Sequence, residues 1–402
     1  MPSFDHISVA LPVLAEYDTL PSLLECLRRQ TFRNFSLYVC VNQPQEWWQM
    51  PVSDWRRQAC DDNRRTLCYL SAVNDMSVTV IDCSSLSVAW VGKRRGVGWA
   101  RKVLADSIVQ SASRNEVIVS LDADTSFGDS YLESVLNMFN AHPRCSALAV
   151  PYYHPLSSNA DIDRAMLRYE CYMRHYLLHL LRIASPYAFT ALGSAMAFTG
   201  EAYKRVGGYT PLQGGEDFYL MQKFAKTGVV MLPYTDELCV YPSGRVSQRV
   251  PFGTGPAIAL PLTEIEERYP FYAARSFDDV RATYTLFPVL YAADIETPMS
   301  AFLRQQLATD DLWQSLRKNF KRQDLFVRAC AERVDGLRIL QYLKSRPHPD
   351  ESLIVDGHAI DFAAGAIPNL NAVRNSLFSQ EMEARQALWR DYDWRESKIS
   401  RF

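Results

Sequence analysis

Residues 116–127 read EVIVSLDADTSF. An apolar climb of strand length stops at two carboxylates one residue apart, Asp122 and Asp124. In an extended chain, residues i and i+2 point to the same side, so the two acids are expected to share one small volume. Like charges that close push one pKa up unless a cation or a shared proton compensates. The compensating partner has to come from elsewhere in the chain or from a ligand.

Upstream of this run the pattern alternates. HISVALPV (6–13), FSLYVCVN (35–42) and SVTVIDC (77–83) are apolar runs of strand length, and SALAVPY (146–152) follows downstream. Between them lie helical segments: LLECLRRQ after a Thr19-Leu-Pro-Ser22 start, a polar stretch with Trp47, Trp48 and Trp55, GVGWARKVLADSIVQSA, and SYLESVLNMFNAH ended by Pro143. Continuous rather than alternating apolar runs, separated by helices, predict an α/β fold with a mostly parallel sheet covered on both faces. From about Pro256 glycine thins out and helical patterns dominate, as in MSAFLRQQLATDDLWQSLRKNF and LFVRACAERVDGLRILQYLKS. The Gly/Pro-rich VPFGTGPA marks the change, so the expected domains are 1–255 and a helical 256–402. The helical part is open between acceptor binding, self-association and contact with a membrane surface.

The 402 residues carry 48% hydrophobic and 22% charged residues with a formal net charge of −2, the composition of an ordinary globular protein. Near-balance of acids and bases leaves no footprint for nucleic acid. Nine cysteines without a C-x-x-C pair read as reduced, mostly buried thiols of the cytoplasm. The start, MPSFDHISVALP, has no basic segment before an apolar run, so no signal peptide is expected. The longest uncharged stretch, IASPYAFTALGSAMAFTG (183–200), falls short of about 20 apolar residues and reads as buried core.

In an open α/β sheet, ligands bind outside the carboxyl ends of the strands, where Pro12, Asn42, Asp82, Asp122 and Asp124 fall. Two carboxylates there suit Mg²⁺ or Mn²⁺, which complete their shell with phosphate oxygens and water. A solvated surface triplet, or a strand-to-helix cap at Asp122, is the plainer alternative. Three segments bear on the choice. GGYTPLQGGEDFYL puts Glu216 and Asp217 at a helix start just after Gly214-Gly215, a favourable N-terminus for acids and a place where a ligand can approach the backbone. GKRRGVGWARK gathers five basic residues and three glycines at a helix entrance, which suits an anion. SGRVSQRVPFGTG pairs Arg245 and Arg249 with glycines, as a loop closing over phosphate would. His175 and His179, at i and i+4 among aromatics and leucines, read as core or groove lining rather than a metal pair.

Taken in order, LPVLAEYDTLPSLLECLRRQ, VCVN, GVGWAR, SLDADTSF and GSAMAFTGEAYKRVGGYTPLQGGEDFYLMQKFAKTG resemble the family 2 glycosyltransferases of GT-A fold, over roughly residues 5 to 255. The resemblance implies an inverting transferase that moves a hexose from a nucleoside-diphosphate sugar, with a UDP-sugar the expected donor, to an acceptor hydroxyl of a glycan or lipid. It implies Pro12 and Asn42 near the nucleoside, Arg101 near the donor sugar or phosphates, and Asp122 on the ribose or sugar. It further implies Asp124, with Asp122, on Mn²⁺ or Mg²⁺, Asp217 as general base and Glu216 on the acceptor. Arg245 or Arg249 would add positive charge from the closing loop. Two features depart from the family: Asn42 stands where many members carry an acid, and the Q-x-x-R-W signature of processive members is missing. A single addition is therefore expected, in the cytoplasm or at the inner face of the membrane. A D-x-D-x-T phosphatase with Asp122 as nucleophile is a rival, although Thr125 comes one residue early for it. A nucleotide-sugar-binding module without turnover is another.

Overall fold

A computed structural model describes residues 3–111, 116–247, 249, 253–346, 353–355 and 358–391. Val250–Phe252 of the Gly/Pro-rich segment lie outside them. The chain divides into two compact units, one formed by Met1–Met166 with Thr190–Leu260, the other by Leu167–Phe189 with Pro261–Phe402.

The first unit runs β1 (His6–Val13), α1 (Leu20–Arg28), β2 (Phe35–Asn42), α2 (Trp55–Ser71), β3 (Val78–Cys83), α3 (Val97–Ser111), β4 (Glu116–Ser120), β5 (Thr125–Phe127), α4 (Tyr131–Ala141), β6 (Cys145–Ala149) and α5 (Ala160–Arg182), which carries the chain out of the unit. On return come β7 (Met196–Thr199), α6 (Gly200–Arg205), α7 (Glu216–Thr227), β8 (Val229–Met231) and β9 (Val240–Pro242). Seven strands form one sheet in the order β3-β2-β1-β4-β7-β6-β8. Only the two ladders of β7, with β4 and β6, are antiparallel; the other four are parallel. The expected α/β architecture, a mostly parallel sheet flanked by helices, is thus the one observed. β4 is buried at every position and β1 at all but His6, which is why both read as unbroken apolar runs.

β1 tolerates Pro12 because of register. Even-numbered residues of β1 face β4, and the β1–β4 ladder stops at Ala10↔Ser120. The missing N–H of Pro12 therefore points to the side that β4 has already left. Strand order reverses between β1, which continues to β2 and β3, and β4, so the carboxyl ends of β1 and β4 flank a switch point.

A second, two-stranded ladder matters more than its size suggests. β5 and β9 pair antiparallel, Thr125 opposite Pro242, and Ser243 N–H donates to the Asp124 carbonyl at 3.2 Å. It joins the segment after β4 to residues more than a hundred positions later.

In the second unit the run 299–320, expected as helical, folds as two short helices, Ser300–Leu307 and Gln314–Asn319, separated where Ala308 takes φ 48°. Likewise 325–345 falls into Gln323–Arg333 and Gly336–Lys344, the latter capped by Asp335, which accepts from Arg338 N–H at 3.1 Å. The unit's core holds a charge network between α5 and the long helix Ile367–Asp391. Arg174 donates to Glu170 (3.0 Å) and Glu381 (2.5 Å), Arg385 to Glu381 (2.9 Å), and Arg374 to Glu170 (3.3 Å), all essentially without solvent exposure. His175 and His179 sit in an aromatic core. His179 stacks on Phe277 at 4.6 Å and burial pushes its pKa down to about 3, while His175 meets the Tyr272 carbonyl at 3.1 Å. No helix among the described residues is long and apolar enough to cross a membrane.

Candidate active site

β4 ends at Ser120, two residues before the first acid. Asp122 and Asp124 therefore leave the sheet in a turn closed by Thr125 N–H on the Asp122 carbonyl, and strand alternation does not govern them. Each finds its own arginine. This is the compensation the sequence posed as a question, and it comes from two distant segments.

Arg101 serves Asp122. It lies on the buried face of α3 with Ala100, Leu104 and Ile108, and is 3% exposed. Its Nη2 donates to Asp122 Oδ1 at 2.6 Å, Nη1 to Ser120 Oγ at 2.6 Å, and Nε to Glu216 Oε1 at 3.0 Å. A guanidinium is suited to this because its donors point in fixed directions within one plane. Gly193 packs on the guanidinium: a Cβ there would sit 2.1 Å from Nη2. Gly193→Ala is therefore expected to cost about 1–3 kcal/mol of stability through overpacking and to displace Arg101. A thermal melt together with an activity assay reads both effects, and an unchanged melt would remove the packing argument.

Glu216 and Asp217 open α7. Gly215 just before them takes φ 76°, a left-handed turn that glycine adopts without strain. Glu216 is 2% exposed, and its second oxygen, Oε2, has no hydrogen-bond partner among the described residues. Burial and the neighbouring Asp217 charge raise its pKa to about 7 against the opposing pull of Arg101. Asp217 is half-buried and accepts from Phe218 N–H at 2.7 Å. Burial raises its pKa also, with Arg101 working against the rise and Asp122 adding to it. Two neighbouring acids, both with raised pKa values and both in the field of Arg101, release their protons at a higher pH than free carboxylates, Glu216 at about 7.

Arg245 serves Asp124, donating from Nε to Oδ2 at 2.7 Å, and its other end grips Glu16. Arg249 also binds Glu16 and donates to the Leu14 carbonyl at 2.7 Å and that of Ala15 at 3.2 Å. Ala15 takes φ 54°, unusual for a non-glycine residue, and its N–H is held by Asn63 Oδ1 at 2.9 Å. Just after that turn, Glu16 shares Arg245 with Asp124, the second acid after β4. Asp124 still has a raised pKa: burial outweighs Arg245, and the charges of Asp122 and Glu16 add to it. The carboxylate is thus under-compensated even in its ion pair.

Of the residues singled out from sequence, Arg101 bonds Asp122 and Glu216, with Asp217 next to Glu216 at the start of α7, while Arg245 bonds Asp124 and meets Arg249 at the Glu16 carboxylate. Pro12 and Asn42 lie at their strand ends without a bond to either group. Asn42 is buried and gives its amide nitrogen to the Val13 carbonyl (3.0 Å) and the Cys40 carbonyl (3.3 Å). Asp82 is a local cap. Burial favours its protonated form, but hydrogen bonds from Ser84 and Ser85 outweigh this and hold its pKa below the usual range. Three participants were not singled out from sequence: Glu16, Ser120 and Gly193. Glu16 had one available signal, as an acid just beyond an apolar strand.

Among the described residues, no three His, Cys, Asp or Glu side chains lie together as a protein-only metal cage. Asp124 and Glu16 nevertheless fit a hard cation that arrives with phosphate, since such an ion takes one or two carboxylates and fills its shell with ligand oxygens and water. The observation that supports this fit is that the two carboxylates already flank one cationic group, the Arg245 guanidinium.

No protein-family model and no curated protein matches the sequence. Among solved structures the chain is similar to S. aureus TarS 1–349 in complex with UDP-GlcNAc, at 12% identity over 97% of this chain and 93% of that one, with a TM-score of 0.40. It is also similar to the mannosyltransferase PcManGT from Pyrobaculum calidifontis in complex with GDP-Man and Mn²⁺, at 16% identity over 83% and 88%, TM-score 0.39. A third is glucosyl-3-phosphoglycerate synthase from Mycobacterium tuberculosis, with Mn²⁺, UDP and glucosyl-3-phosphoglycerate, at 17% identity over 57% and 69%, TM-score 0.35. Likenesses of this size leave the assignment to the chain's own residues.

Proposed function

We propose that the chain is a glycosyltransferase of GT-A type, moving a hexose from a nucleoside-diphosphate sugar to an acceptor hydroxyl in a single inverting addition. The observation that carries this reading is the Arg101 hub, which ties the carboxylate after β4 to the acid pair that opens α7. A displacement at an anomeric carbon needs a base opposite the leaving group and positive charge beside that group. Asp217, the more accessible acid of the pair, takes the acceptor proton. Glu216 holds Arg101 through Oε1 and keeps Oε2 for the acceptor hydroxyl. Asp122 meets the donor sugar or ribose, with Pro12 and Asn42 toward the nucleoside. Asp124 and Glu16 would hold Mn²⁺ or Mg²⁺, whose contribution when bound is to neutralise the departing diphosphate. Arg245 and Arg249 add cationic groups on the same side. The rival phosphatase reading is weakened because Thr125 stands one residue early for its signature.

A panel of nucleotide sugars with Mn²⁺, read by release of nucleoside diphosphate, tests the reading directly. Asp124→Asn is expected to abolish most release, and Arg249→Ala to raise the donor KM about tenfold or more, the scale of one charged hydrogen bond. Hydrolysis of a generic aryl phosphate, with no release from any nucleotide sugar, would favour the phosphatase and sink the proposal.

A further inference from the structure

Ten large apolar side chains are exposed among the described residues, and five of them belong to two short loops of the first unit. Val52 (75% exposed) and Trp55 precede or open α2, while Leu86 (61%), Val88 and Val91 (69%) lie between β3 and α3. A sixth, Val80, is on β3, the edge strand that feeds the second loop. The loops form one surface. Gln45 N–H donates to the Trp90 carbonyl at 2.8 Å, Trp90 N–H to the Gln43 carbonyl at 3.0 Å, and Trp48 Nε1 to the Ser84 carbonyl at 2.9 Å. Trp47 meets Trp55 edge-on at 5.0 Å.

The exposure is built in rather than incidental. Trp90 is buried and pinned on both sides of its backbone, so the chain around it is held with Leu86, Val88 and Val91 outward. Isolated exposed aliphatics are common on any protein, but five exposed apolar side chains on two loops hydrogen-bonded to one another mark an interaction site.

Its charge identifies the partner. Residues 45–57 and 84–96 carry Arg56, Arg57, Lys93, Arg94 and Arg95, on a chain whose net charge is −2. Arg56 pairs with Asp54, Arg57 with Asp61 and Arg95 with Glu46, and Lys93 and Arg94 add positive charge beyond these pairs. Lys93, Arg94 and Arg95 are all exposed and follow directly on Val91-Gly92. Aliphatic tips with a tryptophan, bordered by cations, match a bilayer interface. There, apolar groups enter the acyl boundary and cations meet anionic headgroups.

We propose that this two-loop surface binds the face of an anionic lipid bilayer. It lies beside the candidate site in the chain: a Cβ on Gly96 would sit 3.0 Å from Gln213 Cα, and one on Gly98 2.3 Å from the Leu212 carbonyl, just before the Gly214–Asp217 turn. Lipid binding itself requires no assumption about the reaction.

Co-sedimentation of the full chain with vesicles tests it, comparing phosphatidylcholine alone with phosphatidylcholine plus phosphatidylglycerol. Binding is expected only to the anionic vesicles and should weaken as salt rises. Changing Lys93, Arg94 and Arg95 together to Gln should lower the partition coefficient on the order of a hundredfold, at about fivefold per cation. Changing Leu86, Val88 and Val91 together to Ser should abolish binding even at low salt, with an unchanged circular-dichroism melt as the control for folding. Equal sedimentation of wild type and both variants, or none with anionic vesicles, would overturn the proposal. So would concentration-dependent self-association lost in the Ser variant, which would assign the surface to a second copy of the chain.

Discussion

Asp217→Asn is expected to lower kcat by about 10²–10⁴-fold while leaving the donor KM within a few-fold of wild type. The amide keeps the shape and can still accept from Phe218 N–H, now at 2.7 Å, but it cannot take a proton from an attacking hydroxyl. The pH profile should agree. Both acids of the pair have raised pKa values, Glu216 at about 7. A base works only when deprotonated, so kcat/KM should climb with pH and level off once the pair has lost its protons. The sign follows from burial favouring the protonated form: activity is lost on the acid side, and at a higher pH than a free carboxylate would give. The two protons leave in steps that belong to the pair. A flat profile from pH 5 to 8, or an Asn variant that retains most of its kcat, would remove Asp217 from the reaction.

The largest expected effect on stability lies in the second unit. Glu381 accepts from both Arg174 and Arg385 in a core that excludes water. Glu381→Ala takes a carboxylate from two buried guanidinium groups at once, and loss of one partner of a buried pair costs about 3–5 kcal/mol. The exposed pair Arg328–Glu332, also at i and i+4, is the natural comparison. Glu332→Ala should change stability by no more than about 1 kcal/mol. Denaturant unfolding of the two variants separates the cases. If Glu381→Ala costs no more than Glu332→Ala, the buried network contributes nothing that a surface pair does not.

The same contrast explains what could be read in advance. β1 and β2 were legible to the residue, because each is a mostly apolar run of strand length whose ends are marked by polar residues or turns. α7 was legible too, from Gly214-Gly215 and two acids in a first turn. β5 and β9 were not. At three residues each they carry no periodicity, and only pairing with one another makes them strands. Nor was the break at Ala308, since alanine is the best helix former, yet here it is an exposed left-handed C-cap whose N–H bonds the Arg304 carbonyl.

For the site, the sequence alone determined the residue types and their local settings: acids beyond an apolar strand, basic residues at a helix entrance, a glycine pair before two carboxylates. The burial of Arg101 on the core face of its helix was not among them. Those settings follow from short-range rules of helix polarity and backbone freedom, which act over a few residues. The tertiary structure decided which charges meet. Arg101 reaches Asp122 and Glu216, and Arg245 reaches Asp124 and Glu16, across separations of 21 to 229 residues. Coulomb energy depends on distance in space, not along the chain, so the partners of a D-x-D triplet become visible only once the switch point between β1 and β4 and the β5–β9 ladder have brought them together.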